Sequence, residues 1–451
     1  MKKILLFFAF LMSLVPQLFA AEDNVIYYTS SDGGIVTPTN MSGIISNKYE
    51  NGKGIITFNH TVSVIENYAF QDCSTLTTIE VPYATTIGQA AFMDCSNLTA
   101  IEMPKVTEIK NSAFDMDYNL TAIDLPNAVT IEDCAFEGCS RLATISLPNA
   151  TTIGESAFIA CSRLTAIELP EAISIGPHAF EYCSHLTAAD CPHATTIGAL
   201  AFGYCPELTD IKLPNAITIG GYAFCECGSL TTIALPNATS IGDAVFQFCT
   251  KLTDIELPNV TTIGENAFYS CSHLTGIELP NITTIGESAF RLCYNLANFY
   301  FNKSVSKIQD KAFMDCKNLK TITFTSERPV SIRKSVFDCS DDKDFIYNNC
   351  KLLVPSCALE QYENTYPYNL FRNIETFDSS DLSTVEENSW HIEITSDGFK
   401  ICNNEDREVV SIYNANGSLI KSNASKEVYI SVNPGVYVVR IGNVSKLISW
   451  R

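Results

Sequence analysis

The sequence predicts a repeat solenoid, an elongated fold in which each repeat forms one coil and packs against its neighbours. A Phe that follows Ala or Val recurs every 22 residues from Phe70 to Phe290, and Phe313 and Phe337 extend the series to thirteen copies. A strand-like LxxIxLP segment recurs between these Phe residues, and a Cys follows the Phe by three residues in eleven copies. One such coil cannot bury its apolar side alone, whereas a stack of thirteen can.

The first part of each coil is predicted to be a short strand. In the segment LTAIELP, Ile167 and Leu169 alternate with Ala166 and Glu168, and this period of two is typical of a strand with one buried face. Pro170 ends the strand because proline has no N–H for the next hydrogen bond. Stacked coils would then form a parallel sheet whose strands lie about 4.8 Å apart.

The second part of each coil is predicted to contain an inward-facing Ile, a bend and a helical turn. Ile175 has equivalents in the neighbouring coils, and Gly often follows it, as at Gly176. The AFxxC segment after the bend is too short for a stable helix, so a single helical or 3₁₀ turn with Phe and Cys inward is expected.

The cysteines that follow Phe are predicted to form a ladder of buried free thiols, because free Cys packs as a small hydrophobe. Inter-coil disulfides or a bound metal are the alternatives, but each thiol would have two equivalent partners. Asp117 and Ser340 replace Cys in the remaining two copies. The ladder consists of Cys73, Cys95, Cys139, Cys161, Cys183, Cys205, Cys227, Cys249, Cys271, Cys293 and Cys316. Better candidates for disulfides lie outside it: Cys134, Cys191, Cys225, Cys339, Cys350, Cys357 and Cys402.

The N-terminus has the pattern of a secretory signal peptide. Lys2 and Lys3 precede an apolar run from Ile4 to Leu14, and cleavage after Ala20 would remove residues 1–20. The apolar run is too short to span a bilayer. We therefore expect the protein to be secreted or to lie on the outer cell surface, in contact with a membrane only indirectly.

The net charge of -21 narrows the possible partners. Nucleic acid requires a basic face, and anionic lipid attracts basic segments, so both are disfavoured. Self-association is also disfavoured by the charge, so a monomer is expected, whereas basic protein partners are favoured.

The repeat pattern LxxIxLP…IgxxAFxxCxxL resembles the BspA-like leucine-rich repeats of bacterial surface proteins, over residues 61–377. The resemblance implies a leucine-rich-repeat β-solenoid or horseshoe, with a β-rich cap over residues 21–60. It also implies that the segment beginning KLLVPSCALEQYENTY closes the last coil with a strand and a Tyr-containing helix. By the same resemblance, the protein attaches to host matrix proteins, host cells or other bacteria.

The composition changes after residue 377. Residues 378–389 are polar and acidic and are predicted to be a linker, whereas 390–451 are predicted to form a small antiparallel β-sandwich, with a hairpin turn at Asn416-Gly417. The segments NANGSLI, NPGVYVVRI and SKLISW resemble the C-terminal (Por) sorting domain of type IX secretion cargo in Bacteroidota. The alternative is an ordinary β-sandwich without a sorting role.

No catalytic motif emerges, so the protein is not expected to be an enzyme, to use a cofactor or to have a small-molecule substrate. His178, His185 and His193 lie near Cys183 and Cys191 in the sequence, which is the one conceivable metal-ligand cluster. The two Cys residues occupy inward positions and the three His residues outward ones. Ligands on opposite sides of a coil wall cannot share one ion, so no metal is expected.

The candidate binding site is a row of carboxylates on the predicted sheet. The residue between the two inward positions of the strand is acidic in seven of ten coils, the exceptions being Ser146, Lys212 and Ala234. We call the seven the acidic row: Glu80, Glu102, Asp124, Glu168, Asp190, Glu256 and Glu278. The row is either a solvated face or a negative stripe that receives a basic protein surface.

The sequence thus predicts an exported, adhesin-like leucine-rich-repeat protein that binds a protein ligand on host or bacterial surfaces. A glycan-binding protein or a purely structural surface protein is the alternative. Glycan binding would favour exposed aromatic side chains at the repeat spacing, but Tyr182, Tyr204 and Tyr222 do not all share one position in the coil.

Overall fold

The computed structural model describes residues 23–377 and, beyond them, the backbone of seven strands between residues 390 and 450. The predicted signal peptide and linker lie outside the described residues. By compactness the chain divides into two units, Met1–Val354 with Ala358–Glu375, and Pro355–Cys357 with Thr376–Arg451.

The first unit is a β-solenoid in which most coils contribute one short strand to each of two parallel arrays, which we call sheet A and sheet B. The thirteen predicted coils and a closing turn make about 14 turns. Sheet A contains the LxxIxL strands Leu76–Glu80, Ala100–Glu102, Ala122–Asp124, Thr144–Ser146, Ala166–Glu168, Ala188–Asp190, Asp210–Lys212, Thr232–Ala234, Asp254–Glu256, Asn298–Phe301, Thr321–Phe324 and Lys351–Pro355. Sheet B contains Val64–Ile65, Thr86–Ile87, Glu108–Ile109, Thr130–Ile131, Thr152–Ile153, Ser174–Ile175, Thr196–Ile197, Thr218–Ile219, Ser240–Ile241, Thr262–Ile263, Thr284–Ile285 and Lys307–Ile308.

The alternation along the strands is confirmed by burial. Ile167 and Leu169 are buried, whereas Ala166 and Glu168 face solvent, and the hydrogen-bonded strand ends at Glu168, one residue earlier than predicted. The equivalent of Ile175 is buried in every strand of sheet B. Each coil therefore buries apolar side chains from both sheets in one continuous core.

The prediction of a helical or 3₁₀ turn at AFxxC is wrong for the first twelve coils, whereas in the thirteenth a 3₁₀ turn, Lys334–Phe337, ends at the Phe. From the first coil to the twelfth the segment is a non-helical turn with two residues at positive φ. One stands two positions before the Phe and the other two positions after it. In the first coil these are Tyr68 (φ 61°) and Asp72 (φ 59°), and their N–H groups donate to Gln89 and Met93 of the next coil at 2.8 and 2.9 Å. The left-handed conformation costs roughly 1–2 kcal/mol for each non-Gly residue. This conformation directs the backbone N–H groups towards carbonyls of the neighbouring coil. In a helical turn the same N–H groups would bond within their own coil.

Side-chain ladders also run along the solenoid axis. The thirteen repeated Phe rings stack on one another, with centroids of successive rings 5.1 to 5.8 Å apart. After the strand, the Asn of LPN donates from Nδ2 to the carbonyl of the Pro one coil earlier, as from Asn149 to Pro126 at 2.6 Å and from Asn237 to Pro214 at 2.9 Å. The consensus Asn thus links each of these coils to the coil before it by a hydrogen bond at the surface.

The thiol ladder is confirmed for ten of its eleven cysteines, whereas Cys73 of the first coil is only half-buried. Ten ladder thiols donate to the carbonyl of the Phe in the preceding coil, with sulfur–oxygen distances of 3.0 to 3.2 Å. Burial raises the pKa of these thiols, for example well above the ordinary value at Cys161. The seventeen cysteines of the described side chains are free, so the disulfides considered for the off-ladder cysteines do not form among them. In the last coil Cys339, not Ser340, is the buried residue, so this off-ladder Cys takes the inward position.

Alkylation should follow this pattern of burial. In the folded protein Cys357 is exposed and should react within minutes, Cys73 and Cys134 are half-buried and should react slowly, and the buried ladder thiols should be protected. Burial raises the pKa of Cys73 to about 11 and of Cys134 to about 12, which slows both further because the thiolate is the nucleophile. Pulse labelling with iodoacetamide followed by peptide mass spectrometry would measure this. Rapid labelling of Cys161, or disulfide-linked peptides from the ladder, would contradict the structure.

Both ends of the array are covered. At the start, Val25–Ser30 (β1), Ile44–Glu50 (β2) and Lys53–Phe58 (β3) form antiparallel strands, and β1 pairs with Leu76–Glu80 of the first coil. At the far end, the strand Lys351–Pro355 pairs with Thr321–Phe324. Two helices, Phe345–Asn349 (α1) and Leu359–Glu363 (α2), and a final strand, Asn373–Phe377, follow the last coil. Three 3₁₀ turns span Lys334–Phe337, Ser356–Ala358 and Tyr368–Leu370.

The α2 helix contains the expected tyrosine. Tyr362 is fully buried, and its hydroxyl donates to the carbonyl of Ser326 at 3.1 Å. Tyr368 acts similarly, donating to the carbonyl of Val330 at 2.8 Å. These rings cover the apolar end of the last coil, which solvent would otherwise reach.

The described strands of the second unit form two antiparallel sheets. One has the order Trp390–Thr395, Gly398–Asn403, Glu427–Ser431, and the other Leu419–Asn423, Val410–Asn414, Gly435–Ile441, Val444–Trp450. The strands on either side of the predicted Asn416-Gly417 turn pair with each other, as a hairpin requires.

Candidate protein-binding face

The exposed surface of sheet A carries the predicted acidic row. Parallel in-register pairing places Glu80 opposite Glu102, Glu168 opposite Asp190, and Glu256 opposite Glu278. Asp124 pairs with Ser146. The repeat of 22 residues returns each strand to the same register, so residues 22 apart lie side by side.

Two lysines neutralise parts of this row. Lys53 Nζ of strand β3 lies 3.4 Å from Glu80 Oε1, and Lys212 Nζ lies 3.0 Å from Asp190 Oδ2. The hydrogen bond to Asp190 raises the pKa of Lys212 above its ordinary value. These pairs are solvent-exposed, and such pairs contribute only about 0–1 kcal/mol to stability.

Sequence reasoning missed four residues on this face. Asp210 and Asp254 continue the row of small residues Thr78, Ala100, Ala122, Thr144, Ala166 and Ala188, which is adjacent to the acidic row. Tyr27 lies opposite Glu80, and exposed Tyr300 occupies the acidic-row position 22 residues after Glu278. The same repeat arithmetic finds Asp210, Asp254 and Tyr300 when it is extended, but Tyr27 comes from the cap and has no repeat signal.

Sheet A therefore combines an excess of negative charge with an aromatic side chain at each end of the acidic row. Nine carboxylates lie on its repeat strands, the seven of the acidic row with Asp210 and Asp254. Against them stand the ammonium groups of Lys53 and Lys212, while Lys351 of the closing strand pairs with Glu375 of the final strand. Tyr is enriched at protein interfaces, and a charged face of one sign speeds encounter with a partner of the opposite sign.

The His/Cys cluster does not assemble into a metal site. Cys183 and Cys191 are fully buried, whereas His178 bonds to Glu181 at 2.6 Å and His185 Nδ1 lies 2.7 Å from the carbonyl of Ser162. Among the described residues, no group of three His, Cys, Asp or Glu side chains is placed to hold a metal ion.

The tyrosines considered for glycan binding behave differently from one another. The rings of Tyr182 and Tyr204 stack at 4.8 Å and both are exposed. Tyr222 is exposed too, but it stands two residues before its Phe, whereas the stacked pair stands two residues after. Of these three tyrosines, Tyr182 and Tyr204 therefore form a stacked pair that Tyr222 does not extend.

An open surface groove of 690 Å³ crosses several coils, along the segments that connect the sheet A strands to the sheet B strands. Its lining consists of Thr85, Lys105, Thr107, Asn127, Val129, Asn149, Thr151 and Glu171. Thr107 and Thr151 donate their hydroxyl hydrogens to the preceding coil, as the two Asn amides do. This lining contains no nucleophile beside a base, so it does not resemble an active site.

Within the described residues, no helix is long and apolar enough to cross a bilayer. An array of coils with parallel strands stacked on one exposed face defines a leucine-rich-repeat solenoid, typically a non-enzymatic binding scaffold. The family profile described as BspA type leucine rich repeat region matches in six copies over residues 44–130, 107–227, 217–343 and 283–406. The chain belongs to this family.

Several solved structures are similar to this chain. A leucine-rich repeat protein from Bacteroides ovatus is 25% identical over 70% of this chain and 99% of its own, with a TM-score of 0.44. The T. pallidum leucine rich repeat protein is 32% identical over 34% of this chain and 77% of its own, with a TM-score of 0.33. A leucine rich cell surface protein from Faecalibacterium prausnitzii is 20% identical over 82% and 98%, with a TM-score of 0.38. No curated protein matches the sequence.

Proposed function

We propose that this protein is an exported, adhesin-like surface protein that binds basic regions of host or bacterial proteins through sheet A. The observation that carries the proposal is the acidic row, in which carboxylates from successive coils lie side by side. Like charges on adjacent strands lower stability, so a fold selected for stability alone would alternate them. Pairing with Lys53 and Lys212 relieves the repulsion at Glu80 and Asp190, and Glu102, Asp124 and Glu168 remain exposed on the same face.

The proposed location follows from the two ends of the chain. Residues 1–20 have the signal-peptide pattern and residues 390–451 resemble a type IX sorting domain, which would carry the solenoid across the outer membrane. The proposal assigns the strands of the second unit to that sorting domain, folded as a β-sandwich, and assigns ligand binding to the first unit.

A binding experiment with two charge variants tests the proposed site. The chain would be screened against immobilised extracellular-matrix proteins and glycans at low and high salt. The first variant changes Glu80, Glu102, Asp124, Glu168 and Asp190 to Gln or Asn. The matched control changes five exposed carboxylates outside sheet A, Glu155, Glu171, Glu207, Glu226 and Glu363, to Gln. Both variants raise the net charge by the same amount.

We expect capture of a basic protein that weakens at high salt, because a Debye length of about 3 Å at 1 M screens exposed charges. The sheet A variant should lose about tenfold or more in affinity, because its charges contact the partner directly. The control should lose little, because its carboxylates lie outside the contact and affect binding only through the net charge. Equal losses in both variants would show an effect of net charge only. Capture of glycans that depends on Tyr182 and not on the acidic row would favour the glycan-binding alternative.

A further inference from the structure

One position breaks the thiol ladder from within. In the third coil Asp117 replaces the ladder Cys, and its side chain is fully buried. Its two carboxyl oxygens have no hydrogen-bond partner. The flanking thiols of Cys95 and Cys139 donate to Phe70 and Phe114, so the carbonyl that would face Asp117 by the same spacing is that of Phe92. Only a protonated carboxyl can donate there as a thiol does.

The charged neighbours of Asp115 and Asp117 are all carboxylates. Asp115 of the same turn is 8% exposed, and its Oδ1 is buried without a partner. No ion pair among the described side chains involves Asp115 or Asp117. The titratable groups that face these two carboxyls from the turns of the second, third and fourth coils are Asp94, Cys95, Cys134, Glu137 and Cys139.

We propose that the turn at residues 112–120 is a pH-sensitive opening point of the solenoid, closed while Asp115 and Asp117 are protonated and opened as they ionise. Two buried carboxylates that form no ion pair repel each other and lose their hydration, and the turn can relieve both costs by exposing them. A solenoid is stabilised coil by coil, so the opening stays local while the flanking coils remain folded.

The direction of the pH dependence follows from the folded-state pKa values. Burial, followed by repulsion from Glu137 and Asp94, raises the pKa of Asp115 to about 6, and burial raises the pKa of Asp117 well above its ordinary value. Because the folded turn binds these protons more tightly than the open one, the closed state is most favoured below about pH 4. The part of this stability that Asp115 contributes is lost as the pH rises through about 6. The part that Asp117 contributes is lost as the pH rises through the raised pKa of that carboxyl.

Hydrogen exchange on the full chain tests the proposal. Amide exchange of residues 112–120 would be measured between pH 5 and 8, corrected for intrinsic rates, and compared with the equivalent turn at residues 244–252, which contains no carboxylate and keeps its ladder Cys. We expect opening at 112–120 to rise at least about tenfold from pH 5 to 7, since one linked proton changes the equilibrium by up to tenfold per pH unit. Opening at 244–252 should stay constant.

Three variants separate this device from general instability. Asp117→Cys restores the ladder and should lower the opening of 112–120 and reduce its pH dependence to the part due to Asp115. Asp117→Asn is isosteric and uncharged and should reduce the pH dependence in the same way. Asp124→Asn removes an exposed carboxylate of the same coil and should leave the profile unchanged. A pH-independent exchange rate at 112–120, or the same profile in Asp117→Cys as in the natural chain, would overturn the proposal.

Discussion

Replacement of Phe180 by Ala is expected to lower the free energy of unfolding by about 3–5 kcal/mol, the range for deleting a buried aromatic ring. The ring is fully buried and stacks between Phe158 and Phe202, with centroids 5.2 and 5.3 Å away. Its removal leaves a cavity in the middle of a ladder in which each ring also supports the coil on either side. Because coils are stabilised by their neighbours, the loss falls on three consecutive coils.

The experiment is a urea titration followed by the sheet signal in circular dichroism. The matched control is Tyr182→Ala in the same coil, whose ring is 49% exposed and stacks only on Tyr204. That change should cost about 1 kcal/mol, the contribution of one aromatic pair. Equal costs at the two positions would mean that Phe180 does not occupy the core.

Replacement of Gly176 by Ala is expected to destabilise the fold by about 1–3 kcal/mol through overpacking. A Cβ at this position would lie 2.5 Å from the carbonyl carbon of Gly154 in the preceding coil and 2.6 Å from its oxygen. Both atoms belong to the backbone, so no rotamer change relieves the clash and the two coils must separate. The effect should appear as a lower urea midpoint.

Gly276→Ala is the control for the glycine prediction, and it should have the opposite sign. A Cβ at Gly276 meets no atom within 4 Å, and its φ is not in the left-handed region. Replacing glycine by alanine at such a site stabilises by about 0.4–1 kcal/mol, because the unfolded chain loses conformational freedom. Destabilisation of similar size at both positions would show that close approach of the coils is not the reason for Gly176.

The AFxxC turn is where the structure departs most from the pattern that the sequence predicts. Tyr68, Asp72 and their equivalents have no residue type in common, so no pattern in the sequence indicates positive φ. The left-handed conformation is favoured because it directs N–H groups towards acceptors on the next coil, and these acceptors exist only when coils are stacked. The sequence of a single coil therefore predicts a helical turn, because the hydrogen bonds of such a turn would lie within that coil.

Cys339 and Asp117 show a second limit. Spacing assigned the ladder position of the last coil to Ser340, but that coil departs from the strict period and closes against α1 and α2, so Cys339 points inward instead. For Asp117 the spacing correctly identified an exception to the ladder. Its complete burial without an ion pair depends on which groups surround it in three dimensions, and the spacing of the repeats does not specify those groups.

The sequence by itself determined the solenoid, the alternation in its strands, the inward thiols and the alignment of the acidic row. All four depend on the constant interval of 22 residues, because residues that are 22 apart occupy the same position in successive coils. The tertiary structure alone decided the left-handed turns, the pairing of Lys53 with Glu80, the stacking of Tyr182 on Tyr204 and the isolation of Asp117. Each of these depends on contacts between residues of different coils or of the cap, and such contacts exist only once the coils are stacked.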